Sequence, residues 1–268
     1  MPAPQLVGGF ACLCKQDRLS AIASICCCPG VRQLLSPPCS HLSVRAGETS
    51  LLERLLALVL SGRGLAAAAG TALSCFAASP NGAHTLIHTC NLPLRALALV
   101  QDCGAARDWR RCLPLLSLLS DLGSQPEGQR AILRYAAPSG DLFPALLQLA
   151  AHQHGAGSDA AAVAALAVVR QVLRHPDAKP FAIKHGAVQQ LADAVVAAGA
   201  RPALAAEAAR ALWALASGSG SERAKAGLRG CGLPEALDAA LGVCRRDGEA
   251  AWAPALLQAC EALQRLLA

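Results

Sequence analysis

The feature that most constrains this chain is an internal repeat. Four stretches share one layout: an apolar helix, a short polar break, a short helix and then a longer one. The residues at the breaks are Pro80, Pro126, Pro176 and Ser221, which lie 46, 50 and 45 residues apart. Seven residues beyond each break stands an aliphatic, namely Ile87, Leu133, Ile183 and Leu228. Eight residues before it stand Ala72, Leu118, Val168 and Trp213, followed by Leu73, Leu119, Val169 and Ala214. Twelve beyond come Leu92, Val188 and Leu233, with Leu142 or Phe143 as the shifted equivalent in the second unit. A period of this length marks units that cannot bury their apolar faces alone and must stack.

The third unit shows why the segments are helical. Ser158 and Asp159 are capping residues ahead of a stripe formed by Val163, Leu166, Val169 and Val172 at 3.6-residue spacing. Pro176 ends that helix, because the residue before a proline avoids the α region. A short helix is predicted from Asp177 to His185, with Pro180 in its first turn and Gly186 closing it. A third helix then runs from about Ala187 to Ala198. The fourth unit repeats the plan over Ala203–Ser217 and Ser221–Arg229, and a last helix, Ala251 to Leu267, caps the array.

Upstream the pattern is weaker. Residues 1–50 read as a degenerate helical segment and loop, with 36–50 rich in Pro and Ser. The repeat array is placed at 51–268, in units of about 51–101, 112–150, 158–199 and 203–246, with the capping helix at 251–267. Segments 102–112 and 152–158 are expected to be surface loops. An apolar start at Met1, where a solenoid needs a polar cap, leads us to expect a piece of something larger.

Composition agrees with helices packed on small side chains. Hydrophobic residues make up 54% of the 268 positions and aromatics only 3%, and Ala and Leu dominate the apolar set, as helices prefer. A net charge of +6, from 24 basic against 18 acidic residues, favours acidic partners mildly and is far from a nucleic-acid-binding profile. No uninterrupted apolar run is long enough for a membrane span, and no secretory leader is evident.

Chemistry is scarce. Thirteen cysteines occur without a single C-x-x-C pair, which suits reduced core thiols of a cytosolic protein rather than a disulfide scaffold. The cluster Cys12, Cys14 and Cys26–Cys28 is a candidate for a metal- or redox-responsive role, although the usual ligand spacing and histidines are missing. No phosphate loop, H-E-x-x-H or nucleophile-elbow motif is present. Cys90 with His84 or His88 is the one thiolate–imidazole pairing worth weighing, against exposed or satisfied histidines. We therefore expect no catalytic residues, cofactor, resident metal or small-molecule substrate.

Binding is the expected business of a solenoid. On the third helices the polar residues Gln189, Gln190 and Asp193 are candidates for a partner surface. Trp213 either fills the core between two repeats or serves as an exposed anchor, the role in which Trp is over-represented. The loop Arg107-Asp108-Trp109-Arg110-Arg111 offers Arg107, Arg110 and Arg111 to an acidic partner.

These residues resemble known families. Trp213-Ala214-Leu215-Ala216-Ser217 resembles the W-A-L-x-N signature of armadillo repeats in importin-type cargo receptors, with Ser217 where Asn is expected. In those receptors the Asn pins an extended peptide and the Trp flanks its basic side chains. Across about residues 160–268, the run Ala211 to Leu215, then Ala224-Lys225-Ala226, Leu228 and the closing Leu-rich helix resembles the C-terminal end of rotatin-family proteins. Pro176-Asp177-Ala178-Lys179-Pro180 is similar in style. That resemblance implies a structural factor of centrioles and ciliary basal bodies, with centriolar scaffold proteins as partners. The expectation is thus an all-α, armadillo/HEAT-like right-handed superhelical solenoid of three-helix repeats. It would be a cytoplasmic, non-enzymatic scaffold, with an importin-like peptide adaptor as the alternative.

Overall fold

The computed structural model describes residues 51–62, 64–106, 108–134, 142–151, 158–197, 201–218, 221–246 and 253–267. Fourteen α-helices follow one another in these segments, and no strand occurs among the described residues. They are α1 (Leu51–Ser61), α2 (Ala66–Ala77), α3 (Pro80–His84), α4 (Leu92–Ala106), α5 (Leu113–Gly123), α6 (Pro126–Arg134) and α7 (Leu142–Ala151). Then come α8 (Ser158–Val172), α9 (Ala178–Lys184), α10 (Ala187–Val196), α11 (Pro202–Ala216), α12 (Glu222–Gly230), α13 (Leu233–Arg246) and α14 (Ala253–Leu267). Proline opens α3, α6 and α11, at the position where its missing N–H is not needed and its fixed φ suits the helix. Gly186, at φ 73°, takes the left-handed turn that ends α9 and starts α10, as its position in the sequence predicts.

Two ladders result. The first stacks α2, α5, α8, α11 and α14, each on the next. The second runs alongside through α4, α7, α10 and α13, with α1 packed on α2 at its start. The short helices α3, α6, α9 and α12 bridge the ladders at each turn of the chain. One continuous apolar core fills the space between them, from Leu55 at one end to Leu267 at the other. This is the α-solenoid that the period predicts.

Burial fixes the register of the first ladder. The same five positions are buried in each of α2, α5 and α8: eleven, ten, eight, seven and three residues before the proline of the break. They are Ala69, Gly70, Ala72, Leu73 and Ala77 in α2, and Leu115, Leu116, Leu118, Leu119 and Gly123 in α5. In α8 and the turn after it they are Ala165, Leu166, Val168, Val169 and Leu173. In α11 the same pattern falls on Ala208, Ala209, Ala211, Leu212 and Ala216. The break of that unit is therefore lengthened, and Ser221 is not the equivalent of the prolines. By that register α12 starts three residues past position 219, the equivalent of the prolines, against two past Pro176 for α9 and at the proline itself for α3 and α6. The sequence alignment that set Trp213 beside Ala72, Leu118 and Val168 slips for this reason. Its structural counterparts are the half-buried Ser74, Ser120 and Arg170.

A second slip has a local cause. After His84 the chain makes a π-helical turn over Thr85–Thr89, and the Cys90 N–H reaches back five residues to the Thr85 carbonyl at 3.1 Å. That wider turn absorbs one extra residue. Ile87 is consequently matched by the fully buried Ile132 of α6 rather than by the half-buried Leu133. Segment 102–112, expected to be a loop, is instead mostly helical. It completes α4 and adds a 3₁₀ turn over Trp109–Cys112, because Cys103 and Cys112 are apolar enough to be buried in the core.

Candidate functional site

A shallow groove lies on the first ladder where α8, α11 and α14 stack. Arg170 and Arg174 come from α8 and the turn after it, Arg210, Trp213 and Ala214 from α11, and Ala255, Gln258, Ala259 and Ala262 from α14. Together they line a groove of about 260 Å³, below the ~300–1,000 Å³ range of enclosed small-molecule pockets. To this lining α14 contributes three alanines and Gln258, and the charged groups come from α8, the turn after it and α11.

Two of the charged groups are held in place. Glu207 of α11 accepts a hydrogen bond from Arg170 Nε at 3.0 Å and another from Arg210 one turn along its own helix. The carboxylate is mostly buried, with 12% of its side chain exposed, so it fixes the two guanidinium groups and leaves their remaining N–H donors for another acceptor. Arg174 is exposed and has no carboxylate partner among the described residues. Three arginines therefore stand against one glutamate. Beside them Trp213 leaves 44% of its surface in solvent, so it is exposed rather than filling between repeats. The register positions of Arg210 and Trp213 carry hydroxyls in α2 and α5, Thr71 and Ser74 in one and Ser117 and Ser120 in the other. The basic and aromatic character is confined to the C-terminal half of the ladder.

The other sequence-derived candidates lie elsewhere. Ser217 follows Trp213 by one turn, but its hydroxyl donates to the Ala214 carbonyl at 3.3 Å and its own carbonyl accepts from the buried Lys179 ammonium. Burial and the nearby Lys225 lower the pKa of that ammonium. Gln189, Gln190 and Asp193 belong to α10 in the second ladder, where Gln189 donates to Asp193 at 2.8 Å. They are not brought to the groove. Arg111 is structural: its Nε and Nη2 reach the Ser61 and Leu60 carbonyls at 3.1 and 3.5 Å and close the end of α1. Arg107 lies outside the described residues, as does the side chain of Arg110, and so does the whole N-terminal cysteine cluster. Arg170, Arg174 and Arg210 escaped the sequence reading because only the burial register reveals which face they share with Trp213.

The thiolate–imidazole pairing is not formed. Cys90 is 1% exposed and its thiol is pushed up to about 11 by burial and by the Glu53 charge, whereas His84 and His88 are exposed. The seven described cysteines are all free thiols. Cys260 is likewise raised, to about 12, by burial and by Cys244. No described helix is long and apolar enough to cross a membrane.

Comparison of the fold with solved structures places this geometry. A crystal structure of computationally designed armadillo repeat proteins for modular peptide recognition matches with a TM-score of 0.61 at 15% identity, over 99% of this chain and 99% of that one. A designed armadillo repeat protein in complex with the peptide (KR)4 matches with a TM-score of 0.57 at 17% identity, over 87% and 98%. The fold is armadillo-like. An engineered protein matches comparably, with a TM-score of 0.61 at 16% identity over 82% of this chain and 80% of that one. No protein-family model matches the sequence, and no curated protein matches it either. In this armadillo-like frame the groove on α8, α11 and α14 spans three consecutive members of one ladder, so an extended ligand laid across it would touch successive repeats.

Proposed function

We propose that the chain is a non-enzymatic protein-binding scaffold whose Trp213 groove receives an extended, acidic segment of a partner protein. The observation that carries this is the pairing of an exposed tryptophan with three arginines against a single, mostly buried glutamate. Guanidinium groups held by Glu207 lose little freedom when they take a second carboxylate. An indole beside them gives the rigid contact area typical of binding hot spots. The solved neighbours include one holding the basic peptide (KR)4; the opposite charge on this groove supports the opposite peptide. Fluorescence anisotropy of labelled (Asp-Glu)4 and (Lys-Arg)4 tests the choice. The acidic peptide should bind, and Trp213→Ala and Arg174→Glu should each weaken it by about tenfold or more. Preference for the basic peptide would favour an importin-like adaptor instead.

A more specific reading rests on the likeness of residues 160–268 to the C-terminal end of rotatin-family proteins. On it the scaffold is a cytoplasmic structural factor of centrioles or ciliary basal bodies, and the acidic segment belongs to a centriolar scaffold protein. Imaging of tagged protein in ciliated cells tests this. Staining that stays diffuse or nuclear would count against it without touching the groove.

A further inference from the structure

We propose that His84, His88 and Glu127 form a zinc-class metal site that staples two neighbouring repeats together. His84 ends α3 and His88 sits in the π-helical turn that continues it, while Glu127 stands in the first turn of α6. The two short helices lie side by side. Both rings aim at one oxygen: His84 Nδ1 lies 2.9 Å and His88 Nε2 3.2 Å from Glu127 Oε1. The ring centroids are 4.4 Å apart, and the three ligand atoms all fall within 4.8 Å of one another.

These separations are what a metal would ask for. Tetrahedral zinc with bonds of ~2.0–2.1 Å puts neighbouring ligand atoms about 3.3 Å apart, so two of the contacts need only small adjustments. Two imidazoles and one carboxylate suit zinc, and the related copper(II) and nickel(II), in preference to calcium or magnesium. The site faces solvent, with side-chain exposures of 64% for His84 and 52% for His88, so water completes the shell. The one-residue π insertion is the second sign: turns of this kind gather at functional sites, and this one sets His88 beside His84. A metal here takes the place of the two N–H bridges to Glu127, each ring carrying its proton on the other nitrogen.

Thiolates are zinc ligands in general, so the test compares variants of the full chain. Zinc and cobalt(II) are titrated calorimetrically into the wild type, His84→Ala/His88→Ala and Glu127→Gln, each kept reduced and checked by circular dichroism for unchanged helix content. All three positions are on the surface, so the variants should fold. The wild type should bind one more equivalent than the double variant, and Glu127→Gln should weaken that equivalent about tenfold or more. Zinc at tenfold excess over its Kd should raise the wild-type Tm by about 3–5 °C relative to the double variant. Cobalt in this site should give visible bands without the sulfur charge-transfer absorption of thiolate sites. Identical stoichiometry and equal thermal shifts in all three proteins would overturn the proposal.

Discussion

At the scale of the residue, two glycines show how close the chain passes to itself. A Cβ on Gly82 or Gly128 would stand 1.9 Å from the carbonyl oxygen of Phe76 or Leu122. Each short helix therefore crosses the end of the preceding ladder helix without room for a methyl group, and the obstruction is backbone, which cannot swing aside. Gly128→Ala should cost about 2–3 kcal/mol in urea denaturation. Gly227→Ala, where a Cβ meets Val188 only at 3.9 Å, should be neutral or gain up to about 1 kcal/mol. The thiols make a second prediction. Burial pushes the Cys90 and Cys260 thiols up to about 11 and about 12, from an ordinary 9.0. As pH rises, the unfolded chain releases these protons first. Their contribution is thus complete below pH 9 and is lost as pH climbs towards the folded values. Thermal melts should show Tm falling above about pH 9, and native protein at pH 8 should resist alkylation at both sites by mass spectrometry.

At the scale of the element, the first ladder was largely legible and its breaks were not. The apolar stripe of α8 and the glycine after α9 could be read directly, because period and φ demand leave a residue signature. The lengthened break after α11 and the π turn after α3 left none, since an inserted residue changes no local propensity. Both shifted the alignment, and the first concealed the groove by making Trp213 look like core. The three arginines could have been found only from the register that burial gives. Within the ladder, Leu119 is fully buried at the centre of α5. Leu119→Ala should cost about 2–5 kcal/mol by denaturant titration. The closure of α1 by Arg111 is more modest. Arg111→Ala should cost about 1 kcal/mol and speed amide exchange in α1 before other helices.

At the scale of the whole molecule, polarity changes along the array. The ladder presents hydroxyls at α2 and α5 and arginines with a tryptophan at α8 and α11. On the proposed function an acidic partner would be steered to one half only, and the attraction would be between partly exposed charges. Raising salt from 0.05 to 0.5 M should weaken (Asp-Glu)4 binding about tenfold, measured by anisotropy, with most of the change in association rate. The last helix matters equally. A chain ending at Arg246 lacks α14, so the sides of α11 and α13 that α14 covers become exposed apolar surface. Light scattering should show that shortened protein associating where the full chain does not.

The stacking of the first ladder also has a mechanical meaning. Its helices are joined in series, each braced by the one before and the one after as well as by the second ladder alongside. A pull applied at the two ends would be felt equally at every joint, and the weakest joint would yield first while the others held. A His84–His88–Glu127 clasp would strengthen one chosen joint, so a bound ion would decide where along its length the molecule stretches.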